Sequence, residues 1–222
     1  MKQKYLFILT LMLFSTLAHA QRGGVSLNVK GGKNAVTGYF GAFSVEGFHS
    51  LEKNFSVKGG VQCTTNGNFA VEAHPSYFYD FASLRLHVEA LLHYAPQSTF
   101  HNIAVGVGLG FRARYIHMTL GYYHRTIKSG NDRLDEPFNI YYELGVNCLP
   151  SIARWDLVLS ISNSRLFELE RHYQPSFGID GWWYPSERIG VTLGLSYKPA
   201  GMFNITSEFN QLYSNLGVCC RW

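Results

Sequence analysis

Large apolar side chains alternate with small or polar ones along almost the whole chain, and this pattern restricts the fold more than any other feature. Between residues 83 and 94, for example, Leu86 and Val88 alternate with His87 and Glu89. Successive side chains of an extended strand point to opposite faces, so each such segment has one apolar face and one polar face. The pattern predicts an all-β fold.

About twelve segments of roughly ten residues show this alternation, which is the length that a tilted strand needs to cross a bilayer. The expected strands are 23–30, 37–49, 55–65, 69–79, 83–94, 101–112, 114–126, 138–148, 154–162, 173–183, 187–198 and 212–222. The first and the tenth have the weakest pattern, and ten strands remain if the hairpin of either one is misread.

Short and long connections alternate between these strands. The short ones lie at 50–54, 80–82, 113, 149–153 and 184–186, and the longer ones at 31–36, 66–68, 95–100, 127–137, 163–172 and 199–211. Bacterial barrels have short periplasmic turns and long outer loops. The connections therefore predict an up-and-down antiparallel transmembrane β-barrel with both chain termini in the periplasm.

The first twenty residues predict a secretory signal peptide. Lys2 and Lys4 form its basic start, an apolar run too short to span a bilayer follows, and Ala18-His19-Ala20 is a small-x-small cleavage site. Residues 21–222 are then expected to form a single domain, and they contain no apolar run long enough for a transmembrane helix.

The last eleven residues form the expected final strand, with an aromatic residue closing the chain. Its apolar face carries Leu212, Leu216, Val218, Cys220 and Trp222. Such an ending resembles the terminal signature of bacterial outer-membrane β-barrels, which the barrel-assembly machinery reads. The resemblance implies that these five residues are an assembly signal and that this machinery is a partner.

Charge and cysteine content exclude several classes of protein. The formal net charge of +4 is small and its basic residues are scattered, so nucleic acid is not an expected partner. Four cysteines, of which Cys219 and Cys220 are adjacent, are too few for a disulfide scaffold and lack the spacing of a metal site. No metal or cofactor is therefore expected.

Alternation alone also fits a soluble periplasmic lipocalin-like barrel, which differs from a membrane barrel in having its apolar face inside. Two observations favour the membrane barrel. The polar faces are rich in Gly, Ser, Thr and Asn, which suits a crowded lumen. Aromatic residues also gather at strand ends, as interfacial girdles do: Tyr77, Tyr79, Phe81, Tyr94, Phe111, Tyr122, Tyr142, Trp155, Trp183, Tyr197 and Trp222.

The chain resembles the small outer-membrane β-barrel proteins of Bacteroidota-type Gram-negative bacteria. The resemblance rests on the leader, the glycine- and aromatic-rich alternating strands and the ending Leu-Gly-Val-Cys-Cys-Arg-Trp. It covers the whole mature chain and concerns architecture, so it implies an outer-membrane location and carries over no functional residue.

The polar faces supply one candidate site, a mixed-charge network expected to fill the lumen. Its members are Glu46, Glu72, His74, Arg85, His87, Glu89, His93, Arg112, His117, Glu143, Asp156, Asp180 and Arg188, with Lys58 beside them. Buried charges need partners, so a network of ion pairs is the main interpretation. The alternative is a catalytic or metal-binding histidine cluster, although His87 and His93 lie roughly 20 Å apart along a strand, too far for one metal.

The leading functional hypothesis is a non-enzymatic outer-membrane barrel with a structural or binding role and an unidentified ligand. Its partly basic loops at 127–137 and 163–172 would meet outer-membrane lipids and lipopolysaccharide. A narrow pore for small solutes is an alternative, because the glycine-rich strands at 101–112 and 187–198 leave room in the lumen. A lipid-modifying enzyme is another alternative. The Ser162-Asn163 pair is similar to that of outer-membrane phospholipase, but position 160 is serine rather than histidine.

Overall fold

The computed structural model describes residues 22–34, 38–52, 54–65, 67–81, 83–96, 101–149, 154–165, 168–169, 175–199 and 211–221. The strands in these ranges are β1 (Arg22–Asn34), β2 (Gly38–Glu52), β3 (Phe55–Thr64), β4 (Phe69–Phe81), β5 (Leu84–Pro96), β6 (His101–Arg112), β7 (Ile116–Ser129), β8 (Asp132–Asn147), β9 (Trp155–Ser162), β10 (Ser164–Arg165), β11 (Glu168–Leu169), β12 (Ser176–Trp183), β13 (Ile189–Lys198) and β14 (Gln211–Arg221). No helix in the described part of the chain is long and apolar enough to cross a membrane.

Twelve of these strands form one closed antiparallel barrel. Each barrel strand pairs with its neighbours in the sequence, and β1 pairs with β14 to close the ring. The short β10 and β11 pair only with each other, so β9 lies next to β12. The prediction of a twelve-stranded all-β barrel is confirmed, including the two strands with the weakest sequence pattern.

The outer surface of the barrel is a belt of exposed apolar side chains. Phe138, Leu109 and Leu193 are 83%, 65% and 60% exposed, and most barrel strands contribute large exposed apolar side chains to this surface. A soluble barrel needs these side chains inside, where they are removed from water. The structure therefore contradicts the lipocalin-like alternative and gives the inverted arrangement of a membrane barrel.

Exposed aromatic side chains gather at both rims of this belt. We call the end at which the chain enters and leaves the barrel the terminal end, and the opposite one the loop end. The terminal end carries Tyr77, Tyr79, Phe81, Tyr115, Trp155 and Trp183, and the loop end carries Tyr94, Tyr122, Phe138, Phe177 and Tyr197. Trp155 and Trp183 are register partners whose rings stack at 5.8 Å. Aromatic rings at these two levels match the two interfaces of a bilayer.

The segment predicted as a long loop at 127–137 is instead an extended hairpin. β7 continues to Ser129 and β8 begins at Asp132, with Gly130 at a φ of 58° in the two-residue turn. A two-residue hairpin turn needs positive φ, which glycine adopts without strain. Charges along the hairpin, with an ion pair of 2.7 Å between Arg133 and Asp135, interrupt the apolar alternation and hid these strand ends from the sequence pattern.

The barrel wall has one short joint, between β8 and β9. Their pairing covers only Glu143–Asn147 and Val158–Ser162, because the chain leaves the wall after Ser162. The side chain of the buried Asn163 continues the ladder: its Oδ1 accepts from the Tyr142 amide at 2.7 Å, and its Nδ2 donates to the Ile140 carbonyl at 2.8 Å. A single carboxamide thus replaces a strand residue at this edge.

The final strand β14 lies between β13 and β1. Leu212, Leu216, Val218 and Cys220 are exposed on its outer face, whereas Cys219 points inward and is buried. All four cysteines are free thiols. Trp222 and the leader at 1–20 lie outside the described residues.

Candidate functional site

The lumen contains a buried carboxylate held between two histidines. The Oε1 atom of Glu72 lies 2.6 Å from His74 Nε2, and its Oε2 atom lies 2.8 Å from His93 Nδ1. Glu72 is only 2% exposed. The pairing of Glu72 with His93 across β4 and β5 sets this contact, since both residues belong to the inward face of their strands. A carboxylate with both oxygens bonded in this way satisfies the requirement that a buried charge be paired.

This cluster continues along β5 toward the terminal end. Glu89 lies 3.9 Å from His74 Nδ1 and 4.0 Å from His87 Nε2. The Nε2 atom of His87 also lies within 3.1 Å of the Thr119 hydroxyl on β7. Acidic and imidazole groups therefore alternate over the lumen face of β4, β5 and β7, and the structure brings together five residues of the predicted network: Glu72, His74, His87, Glu89 and His93.

Large side chains pack beside this cluster and fill one side of the lumen. Leu91, Ala104, Tyr123 and Tyr141 form a core with almost no exposed surface. The inward glycines provide the space for these side chains: a Cβ atom at Gly108 or at Gly121 would overlap the Tyr141 ring. The glycine-rich face of β6 is thus occupied in part by the Tyr141 ring of β8. It does not by itself leave the open passage that the sequence had suggested.

A second polar group adjoins the first, because Glu143 on β8 is the register partner of Thr119 on β7. Glu143 on β8 pairs with His117 Nε2 on β7 at 3.0 Å. Arg165 donates from Nη2 to Ser160 Oγ at 2.8 Å and to Asp180 Oδ2 at 3.0 Å, and its guanidinium lies against Gly178. The segment after β9 therefore folds back into the lumen. Arg165, expected on an outer loop, is instead a lumen residue.

Part of the lumen near this second group remains open to water. Lys58 on β3 is exposed although it faces inward beside His74, and the side chain of Glu143 is 38% exposed. Lys58 interacts electrostatically with both Glu143 and Asp180. The lumen is thus packed around Tyr123 and Tyr141 and more accessible between Lys58 on β3 and Glu143 on β8.

The other predicted network residues lie apart from these two groups. Glu46 accepts a hydrogen bond of 2.8 Å from Ser44 on its own strand. Arg85 pairs with Asp80 at 3.3 Å near the terminal end. The remaining three lie at or near the terminal end, where Arg112 is exposed, Asp156 is partly exposed and Arg188 is exposed on the connection before β13.

The sequence reasoning missed a contact that covers part of the terminal end. Tyr184 follows β12 and is buried against Gly190, while the Arg221 guanidinium lies 3.6 Å from the centre of the Tyr184 ring and donates to its hydroxyl. Burial raises the pKa of Tyr184 to about 12. The sequence feature that could have revealed this contact is the inward-facing Gly190 on β13, because a small residue on a lumen face leaves space for a large side chain to lie against it.

Neither a metal centre nor a hydrolase motif emerges from this geometry. Within the described ranges, no group of three or more His, Cys, Asp or Glu side chains is arranged to hold a metal ion. Ser162 and Asn163 are each 1% exposed, and both bond to the β8 backbone. They therefore stabilise the joint between β8 and β9.

No protein-family model and no curated protein matches the sequence. Solved structures are similar to it in fold. A KdgM porin solved in complex with disordered oligogalacturonate has a TM-score of 0.58 at 9% identity, covering 90% of this chain and 99% of its own. A NanC porin has a TM-score of 0.55 at 13% identity, covering 88% and 100%. Outer membrane phospholipase A from Escherichia coli has a TM-score of 0.53 at 9% identity, covering 89% and 92%.

Two of these proteins are described as porins and one as a phospholipase, and all three share little sequence with the chain, so the likeness concerns architecture. The chain has the fold of an outer-membrane β-barrel. Together with the exposed apolar belt, this likeness supports an integral outer-membrane location.

Proposed function

We propose that the protein is an integral outer-membrane barrel with a non-enzymatic structural or binding role, in which a polar and charged network occupies much of the lumen. The observation that carries this proposal is Glu72, buried in the lumen with both carboxylate oxygens bonded to histidines. Buried polar contacts that are satisfied rigidify a structure, and both contacts of the Glu72 carboxylate are satisfied. A wall braced in this way suits a scaffold that presents its outer hairpins, such as β7–β8, to a partner.

The belt of exposed apolar side chains and its two aromatic rims support the proposal that outer-membrane lipids surround the barrel, with lipopolysaccharide at the loop end. Export by the leader at 1–20 and recognition of β14 by the barrel-assembly machinery belong to the same proposal. The orientation of the barrel in the membrane follows from this proposal: the terminal end faces the periplasm and the β7–β8 hairpin faces outward.

Membrane fractionation combined with a heat-shift gel tests the location. A folded barrel extracted in detergent migrates differently before and after boiling, so we expect a heat-modifiable band in the outer-membrane fraction. Recovery of the protein in the soluble periplasm would overturn the proposal. Planar-bilayer recording of the folded protein then tests the occupied lumen, for which we expect a flat trace.

A narrow pore for small solutes is a second candidate, favoured by the accessible side of the lumen. Lys58 is exposed there and Glu143 is partly exposed, although both face inward. Two of the similar structures are described as porins, although their low identity limits the comparison to fold. Ion conductance by the wild type supports this candidate. Reversal of the Lys58 charge (Lys58→Glu) should then shift ion selectivity, whereas Lys128→Glu on the outer hairpin should not.

A further inference from the structure

Basic side chains from three neighbouring strands meet at the terminal end of the lumen. Arg85 on β5 is the register partner of Arg112 on β6, and Arg112 is the register partner of His117 on β7. All three lie on the inward face, since they share the alternation of the inward-facing His87 and Thr119. The sheet thus places two arginines and a histidine side by side, and we call these three residues the basic row.

Arg112 differs from the other two members of the basic row in its partners. Arg85 pairs with Asp80 at 3.3 Å, and His117 pairs with Glu143 at 3.0 Å. Arg112 is exposed and has no ion pair or hydrogen bond from its side chain within the described residues. Like charges on directly opposed residues of neighbouring strands destabilise a sheet. The pairing of Arg112 with Arg85 therefore leaves a positive charge that an added anion would neutralise.

His87 supplies a second, independent observation beside the basic row. It is 8% exposed, and its Nε2 atom has the Thr119 hydroxyl as a partner, but its Nδ1 atom is buried without a hydrogen-bond partner in the described part of the chain. Its ring lies against Gly110, the next inward residue to Arg112 on β6. A buried nitrogen without a partner is uncommon in folded proteins and calls for a ligand, a water or an ion.

Carboxylates also face this region, and each already has a basic neighbour. Asp80 is paired with Arg85 and Glu143 with His117, while Glu89 lies between His74 and His87. Thr119, which contacts His87, is the register partner of Glu143 and lies two residues from His117, so these groups share one region. Within the basic row, Arg112 is the member most accessible to an anion entering from the terminal end.

We propose that the terminal end of the lumen binds a small oxyanion, a carboxylate or a phosphate group, through Arg112 and Arg85 with His87 and His117 at its edge. The planar guanidinium presents paired donors that match both oxyanions. Directly opposed residues have Cβ atoms about 4.5–5.5 Å apart, so Arg85, whose guanidinium lies over the Phe78 ring, adds its positive charge beside the more exposed Arg112. The inference goes beyond the proposed function, because binding at this end does not require that any solute cross the barrel.

Titration of the folded full-length barrel in detergent with inorganic phosphate and with succinate, followed by calorimetry, tests the site. We expect saturable binding of at least one anion by the wild type. Loss of a hydrogen bond to a charged group corresponds to about a tenfold or larger loss of affinity, so Arg112→Gln should weaken binding at least about tenfold. Arg112→Lys keeps the charge but not the paired donors, and it should fall between the two.

Arg114→Gln is the matched control. Arg114 lies on the same rim but packs against the Tyr115 ring, outside the basic row. We expect its affinity to stay within about twofold of the wild type. Equal effects of Arg112→Gln and Arg114→Gln would overturn the proposal, as would the absence of saturable binding of both anions to the heat-modifiable protein.

The two anions separate the ligand classes. Tighter binding of succinate indicates a carboxylate ligand, and tighter binding of phosphate indicates a phosphate ligand. Conductance is measured separately on the same protein. Saturable binding with a flat bilayer trace supports the anion site in an occupied lumen, whereas conductance without saturable binding overturns the anion site while leaving the outer-membrane barrel intact.

Discussion

Glu72→Gln removes the charge from the centre of the lumen cluster without changing the shape of the side chain. Glu72 accepts from His74 at 2.6 Å and from His93 at 2.8 Å, and it is almost fully buried, so solvent screens these contacts little. A hydrogen bond to a charged group contributes about 1.5–3 kcal/mol. Glutamine keeps one acceptor oxygen but turns an amino group toward the other imidazole.

We therefore expect Glu72→Gln to lower the free energy of unfolding by about 2–4 kcal/mol, and Glu72→Ala by about 3–5 kcal/mol, the usual effect of removing one partner of a buried pair. Urea unfolding of the barrel in lipid vesicles, followed by tryptophan fluorescence, measures both values. Glu46→Gln is the control, since Glu46 is partly exposed and its bond to Ser44 is available to glutamine as well. A Glu72→Gln value within about 0.5 kcal/mol of the wild type, below the range for one such bond, would refute the argument.

Three further substitutions test the wall of the barrel. Gly121→Ala places a Cβ atom on the Tyr141 ring and should lower the yield of heat-modifiable protein, whereas Gly181→Ala, whose nearest neighbouring atoms lie at 3.8 Å, should not; equal yields would contradict the packing. Asn163→Ala removes both side-chain bonds to β8 and should cost about 1–3 kcal/mol in urea unfolding, with no change contradicting its role in the joint. Leu216→Arg puts a charge on the lipid face and should cost about 2–4 kcal/mol in lipid vesicles; unchanged stability there would contradict the assignment of that face.

The number of strands, and which side chains of each strand point outward, could be predicted because both depend on a local property of the sequence. Each wall strand needs an apolar outer face over its length, and alternation within a window such as 83–94 shows this without any knowledge of its neighbours. The same reasoning failed at 127–137, where the hairpin extends beyond the apolar belt. Strands outside the bilayer need no apolar face, so Arg133 and Asp135 look like loop residues although they lie in a strand.

The contacts within the lumen depend on register and on the curvature of the closed wall, which the sequence does not display. Glu72 and His93 were both predicted to face inward, but only the register of β4 against β5 makes them partners. Arg165 lies beyond the last apolar residue of β9, where nothing in its neighbours shows that the chain turns back into the barrel. The structural role of Asn163 could not be predicted, because its bonds to Tyr142 and Ile140 depend on the register of β8 against β9.

The short joint between β8 and β9 makes the ring mechanically uneven. The seam at which the chain closes on itself runs from Gly24 to Lys33 of β1 against β14, whereas the joint spans only Glu143–Asn147 on β8. Spontaneous opening begins where the fewest bonds must break together. The backbone amides of β8 that face β9 are thus expected to be the first to exchange with deuterated solvent. The wall is expected to open there, beside the buried Asn163 and away from the chain ends.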